Sequence, residues 1–181
     1  MKTIVIGLGN PILSDDGVGW KVIEKIQSII PSSRLWHPSP NESPSGVLRE
    51  EDRDEGEVVL ETASLGGLSL MERLVGFERA ILVDSMETGQ GHAGSVRMFT
   101  LDELPNPSAG HSASAHDTSL VTALKTGRRM GLSLPTEIRV VAIEAKQVYD
   151  FSEELSPAVA AAVPIAAQAV LDILVKEKET V

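Results

Sequence analysis

Five short runs rich in β-branched residues punctuate the chain, at residues 2–7, 58–61, 80–84, 95–100 and 138–143. Each is too short for a stable helix and is bordered by glycine, acid or turn residues, as buried strands are. Segments of helical period stand between most of them. Val18, Val22, Ile23, Ile26 and Ile29/Ile30 recur at helical spacing after the first run. Residues 68–75 read as a second helix. Residues 118–130 read as a third, with Leu120, Val121, Leu124 and Arg128 in register. The last runs from Pro157 to about Lys176, with Ser156 as N-cap and Pro157 at the first helical position. Pro164 is expected to kink or restart it. Alternating strands and helices imply an α/β fold, a three-layer α/β/α sandwich around a twisted, mostly parallel sheet of about five strands.

A chain of 181 residues fits one domain, residues 1–181. Its pattern is interrupted at about 31–57, where four of the ten prolines fall between Pro31 and Pro44 and an acidic run follows at 49–57. This reads as a polar, acidic surface insertion. There is no cysteine, which removes disulfides, thiolate zinc sites, iron–sulfur clusters and a cysteine nucleophile. Twenty-six acids against sixteen Lys and Arg give a net charge of −10, which opposes a phosphate backbone. The tight basic cluster is Lys125, Arg128 and Arg129, on a helix, and aromatics are only 3% of residues. No nucleic-acid partner is expected. Residues 157–175 are apolar, but Pro164, Gln168 and Asp172 interrupt them, so they read as a buried helix and not a membrane span. The expectation is a cytoplasmic protein.

In open α/β sheets, ligands bind beyond the carboxyl ends of the strands. Asp15 and Asp16 follow the first strand by one loop, and Asp84 ends another. His116, in Ser112-Ala-Ser-Ala-His-Asp-Thr, precedes a helix that should start at the same edge. Two carboxylates and an imidazole there fit a divalent metal, of which zinc, nickel, manganese and iron all suit the donors. Bland roles compete. Asp15 or Asp16 can cap the first helix, Asp84 can accept backbone hydrogen bonds, and His116 can bond Asp117 or the backbone. His92 and His111 are rival ligands in loops. Gly7-Leu8-Gly9-Asn10-Pro11-Ile12 begins like a dinucleotide fingerprint, but Ile12 replaces the third glycine and acids follow where a pyrophosphate needs N–H groups. No G-x-S-x-G or phosphate-binding P-loop is present.

The segment Gly7-Leu8-Gly9-Asn10-Pro11-Ile12-Leu13-Ser14-Asp15-Asp16-Gly17-Val18-Gly19 resembles the opening motif of the nickel–iron hydrogenase maturation endopeptidases. The resemblance continues at Ile81-Leu82-Val83-Asp84-Ser85, Ala93-Gly94-Ser95-Val96 and Ser114-Ala115-His116-Asp117-Thr118-Ser119-Leu120. It returns at Val141-Ala142-Ile143-Glu144 and Leu155-Ser156-Pro157-Ala158-Val159. Glu61-Thr-Ala-Ser-Leu-Gly-Gly67 matches the family's glycine- and threonine-rich turn only loosely, and Ala145-Lys146 stands where a proline is frequent.

The resemblance implies a peptidase that cuts the C-terminal extension from a hydrogenase large-subunit precursor. It places the metal-binding and catalytic positions on Asp16, Asp84 and His116, and prefers Asp16 to Asp15. The nickel would be carried by the substrate, with no organic cofactor, although other divalent ions could occupy the site. A monomer with an exposed groove for a protein substrate is expected. Two other readings are a non-catalytic module that senses nickel in a partner, and a peptidyl-tRNA hydrolase-like enzyme sharing residues 7–11. The second is opposed by the charge and by the Asp15-Asp16 pair.

Overall fold

The computed structural model describes residues 1–30, 57–89, 91–101, 115–146 and 148–176. The expected insertion at 31–57 lies outside these residues except for Glu57. Five strands form one sheet: β1 (Thr3–Leu8), β2 (Val58–Ala63), β3 (Arg79–Met86), β4 (Val96–Thr100) and β5 (Glu137–Glu144). Their spatial order is β2-β1-β3-β5-β4. All neighbours are parallel except β4 and β5. The helices are α1 (Val18–Ile29), α2 (Gly67–Arg73), α3 (Ala115–Arg129) and α4 (Pro157–Lys176). The α/β fold and mostly parallel five-stranded sheet match the reading of the sequence.

The pleat sorts the strand residues into two layers. Ile4, Ile6, Leu8, Ala80, Leu82, Val140 and Ala142 pack with Leu70, Leu74, Leu120 and Leu124 of the α2 and α3 side. Val5, Ile81, Val83, Val141 and Ile143 pack with Val18, Val22, Ile26, Val159, Ala166 and Val170 of the α1 and α4 side. β1 and β3 are buried along their whole length. That is what a parallel strand covered on both faces requires, and it explains their unbroken apolar runs.

The order of the strands reverses at β1. The chain leaves β1 for β2 on one side, then crosses to β3 on the other. The loops after β1 and β3 therefore diverge and leave a crevice at the carboxyl edge. α3 feeds β5 from the opposite edge, where Gly76 N–H donates to the Ser133 carbonyl at 2.9 Å and Thr136 N–H to the Glu78 carbonyl at 3.0 Å. Fifteen helical residues rise about 22 Å, enough to bring the start of α3 back to the crevice edge.

One expectation changes. α1 is not capped by an aspartate, because its N-cap is Gly17 with no side-chain bond, and a 3-10 turn, Ser14–Gly17, carries both acids just before it. α4 runs from Pro157 to Lys176 with Pro164 inside it, the extent the sequence led one to expect. α4 also buries one face only. Val159, Ala162, Ala166, Ala167 and Val170 are covered, while Ile165 and Val175 are exposed. It is long and apolar enough to cross a membrane, by length and composition alone.

The tightest packing lies between backbones. A Cβ on Gly19 would stand 2.3 Å from the Leu8 carbonyl oxygen and 2.5 Å from that of Val83. One on Gly7 would stand 2.3 Å from the Gly19 oxygen. These two glycines let α1 rest directly on the seam of β1 and β3. Gly19→Ala is expected to lower stability by about 1–3 kcal/mol, because backbone and not a flexible side chain must move. A fall in the urea midpoint at unchanged slope checks this.

Candidate active site at the carboxyl edge of the sheet

The loop after β1 turns back sharply at Gly9, whose φ of 115° is open to glycine. A Cβ there would lie 1.8 Å from the Asp16 carbonyl oxygen. The Asp16 carboxylate thus folds back over its own loop and accepts the Asn10 N–H at 2.7 Å through Oδ2. Its other oxygen, Oδ1, accepts the Ser85 hydroxyl at 3.1 Å. Asn10 braces the same turn by accepting the Ile12 N–H at 3.2 Å through its side-chain oxygen.

Ser85 is the residue after Asp84, so this bond ties the β1 loop to the end of β3. Asp84 is buried, at 2% exposure, and its Oδ1 accepts the Ser85 N–H at 2.9 Å. By the pleat, Asp84 shares the face of Ala80 and Leu82, the side on which α3 packs. The Ser85 hydroxyl thus ties the Asp16 loop to the end of β3, the strand whose carboxyl edge also carries Asp84. His116 falls in the first turn of α3, at this edge, and its side chain lies outside the described residues. Among the described residues, no three His, Asp or Glu side chains form a metal-ligand cluster. Of the rival ligands, His92 is exposed in the β3–β4 loop, and His111 lies outside the described residues.

Asp15 has a different task from its neighbour. It is fully buried and reaches the start of α4, accepting the Ser156 N–H at 2.7 Å and the Ser156 hydroxyl at 3.0 Å. The cap assigned to it on α1 is therefore a tether to α4. Ser14 beside it has a φ of 47°, a left-handed conformation that non-glycine residues rarely take. Its N–H donates to the Ser152 carbonyl at 2.7 Å and its hydroxyl to that of Glu154 at 3.0 Å. Ser152 N–H returns a bond to the Ile12 carbonyl at 3.1 Å, and Leu13 bridges Ser152. The loop that presents Asp16 is thus clamped to the loop entering α4.

Glu144 forms a second polar centre at this edge, to which the sequence reading gave no role. It ends β5 and is buried. Its carboxylate accepts Thr88 N–H at 3.0 Å, the Thr88 hydroxyl at 2.8 Å, Gly89 N–H at 3.2 Å and the Arg97 guanidinium at 2.9 Å. Burial pushes the carboxyl up, but the Thr88 hydroxyl, the Thr88 amide and Arg97 outweigh it and hold it below the ordinary glutamate value. It pins the β3–β4 loop to the end of β5. The signal was available, since Glu144 follows a strand run just as Asp84 closes one. Ser85 was visible only as the residue after a nominated acid.

A five-stranded α/β sandwich with acids at the carboxyl edge of its sheet is the architecture of many enzymes that work at that edge. The sequence matches the hydrogenase maturation protease family, HycI, over residues 47–173. The chain belongs to that family of peptidases. The match takes in Asp84 and His116; the glycine-rich opening with Asp16 precedes it. No curated protein matches by sequence. Among solved structures, the hydrogenase maturating endopeptidase HybD of Escherichia coli has a TM-score of 0.70 at 20% identity, covering 99% of this chain and 94% of that one. The nickel–iron hydrogenase maturation protease HybD of Thermococcus kodakarensis scores 0.63 at 21% identity, covering 96% and 99%. A hydrogenase 2 maturation peptidase from a Thaumarchaeota archaeon scores 0.57 at 23% identity, covering 97% and 99%. These likenesses establish the fold.

Asp15→Ala is expected to destabilise the protein by about 1–3 kcal/mol, because it takes the acceptor from the half-buried Ser156 N–H and hydroxyl. In a double-mutant cycle with Ser156→Ala, read by urea denaturation, the two losses should fall well short of adding.

Proposed function

We propose that this chain removes the C-terminal extension of a nickel–iron hydrogenase large-subunit precursor, and that Asp16, Asp84 and His116 grip the nickel carried by that substrate. The observation that carries the reading is the Ser85 hydroxyl bridging to Asp16. It ties the loop that carries Asp16 to the residue next to Asp84, at the switch point. Both carboxylates are oriented by donors before any substrate arrives, so little ordering remains at binding. Carboxylate and imidazole are suitable donors for nickel, and no thiolate competes.

On this reading the nickel is part of the substrate. Docking it against the three side chains sets the scissile bond at the crevice. A metal ion beside that bond polarises its carbonyl, and a carboxylate held at the edge accepts a proton from the attacking water. A precursor without nickel offers no atom to grip, so loading becomes a condition for cutting.

The test mixes the protein with its own organism's large-subunit precursor, nickel-loaded or nickel-free, and reads intact mass. Loss of a short C-terminal peptide from the loaded form alone is expected, and His116→Ala should abolish it while leaving the urea midpoint intact. Cutting of both forms at equal rates would remove nickel from the reading. A fully active His116→Ala variant would remove that residue from the site.

A further inference from the structure

The loop between β5 and α4 carries two aromatic side chains that the fold does not use. Tyr149 is 81% exposed and Phe151 is 87% exposed. In a chain with 3% aromatic residues, leaving both in water is costly unless something covers them. Neither is on a stray loop. Ser152, next to Phe151, is bonded in both directions to the Asp16 loop, through Ser14 N–H and the Ile12 carbonyl. Ile12, on the facing strand of that short bridge, is itself 46% exposed. Ile12, Tyr149 and Phe151 thus stand exposed on two segments bonded to each other, one of them the loop that presents Asp16. Asp150, Glu153 and Glu154 are exposed around them, and no Lys or Arg occurs from residue 148 to 156.

We infer that Ile12, Tyr149 and Phe151, ringed by Asp150, Glu153 and Glu154, form the docking surface for a basic, apolar-faced segment of the protein substrate, beside the cutting site. The inference rests on the protease reading and names the surface that recognises the substrate. Two features identify the occupant. Aromatic side chains held on a rigid support are efficient anchors at protein interfaces, since they bury a large area at small entropic cost. The acid ring around them selects positive charge and repels a second copy of this acidic chain. Backbone bonds carry any strain at this surface straight to the Asp16 loop, so an occupant is held in fixed relation to the carboxylates.

Processing rates measured over a range of precursor concentrations test this. Tyr149→Ser/Phe151→Ser should raise KM about tenfold while kcat stays within about twofold, as loss of an interface anchor does. Asp150→Asn/Glu153→Gln/Glu154→Gln should raise KM at low salt and flatten its dependence on salt. The exposure of all five side chains makes folding of both variants the expectation, and an unchanged urea midpoint verifies it. Wild-type KM in both variants overturns the proposal. So does a loss of self-association in sedimentation at unchanged KM, which would assign the patch to a second copy. If the wild type cuts nothing, the protease reading fails separately. Binding of intact precursor then decides the docking claim: weaker binding by both variants supports it, and equal binding overturns it.

Discussion

The contact of Gly19 with the Leu8 and Val83 carbonyls sets the position of everything at the carboxyl edge. At Gly19 no side chain separates α1 from the β1–β3 seam, so the first turn of the helix lies directly over the switch point. The turn before it is then short, and Asp16 reaches the end of β3 instead of standing out in solvent. Gly9 completes this by letting the loop close beneath the Asp16 carbonyl. The Asp16–Ser85 bond is a consequence of that closeness. A bulkier residue at Gly19 would lift the helix and separate the two acids that the proposed site needs together.

Two adjacent aspartates show how neighbours in sequence can diverge in role. Asp15 points inward, is buried, and spends both oxygens on the start of α4. Asp16 points to the crevice, is partly exposed, and is steered by Asn10 and Ser85. The first makes the support and the second stands on it. The left-handed Ser14 just before them is how the chain turns to send the two carboxylates apart, and its bonds to Ser152 and Glu154 hold that strained conformation. Glu144 does for the β3–β4 loop what Asp15 does for the β1 loop. Two loops at the carboxyl edge are thus each fixed by a buried carboxylate.

The strands were legible because their signal is local. Runs such as Ile81-Leu82-Val83-Asp84 show β-branched character and burial within a few residues. The placement of Asp16 and Asp84 at one edge followed from parallel topology, and Ser85 now joins them. The role of Asp15 was not legible, since its partner Ser156 lies 141 residues away and only the folded chain brings them together. A helix cap is the local expectation for an acid at that place, and tertiary contacts overrode it. β4 illustrates the same limit. Its sequence gives a strand but not its direction; the direct link from β3, with no helix between, leaves it antiparallel on β5 at the sheet's edge. The exposure of Tyr149 and Phe151 has no local signal either, because an aromatic in a loop is as often tucked in as left out.

On the proposed function, Asp16 and Asp84 act as one unit at the carboxyl edge. Single-turnover processing by Asp16→Asn, Asp84→Asn and the double variant tests it most directly. The account predicts that each single change removes nearly all activity and that the double variant is no slower than the slower single one, as for groups that work together. Losses that multiply, or a wild-type rate in either single variant, would contradict it.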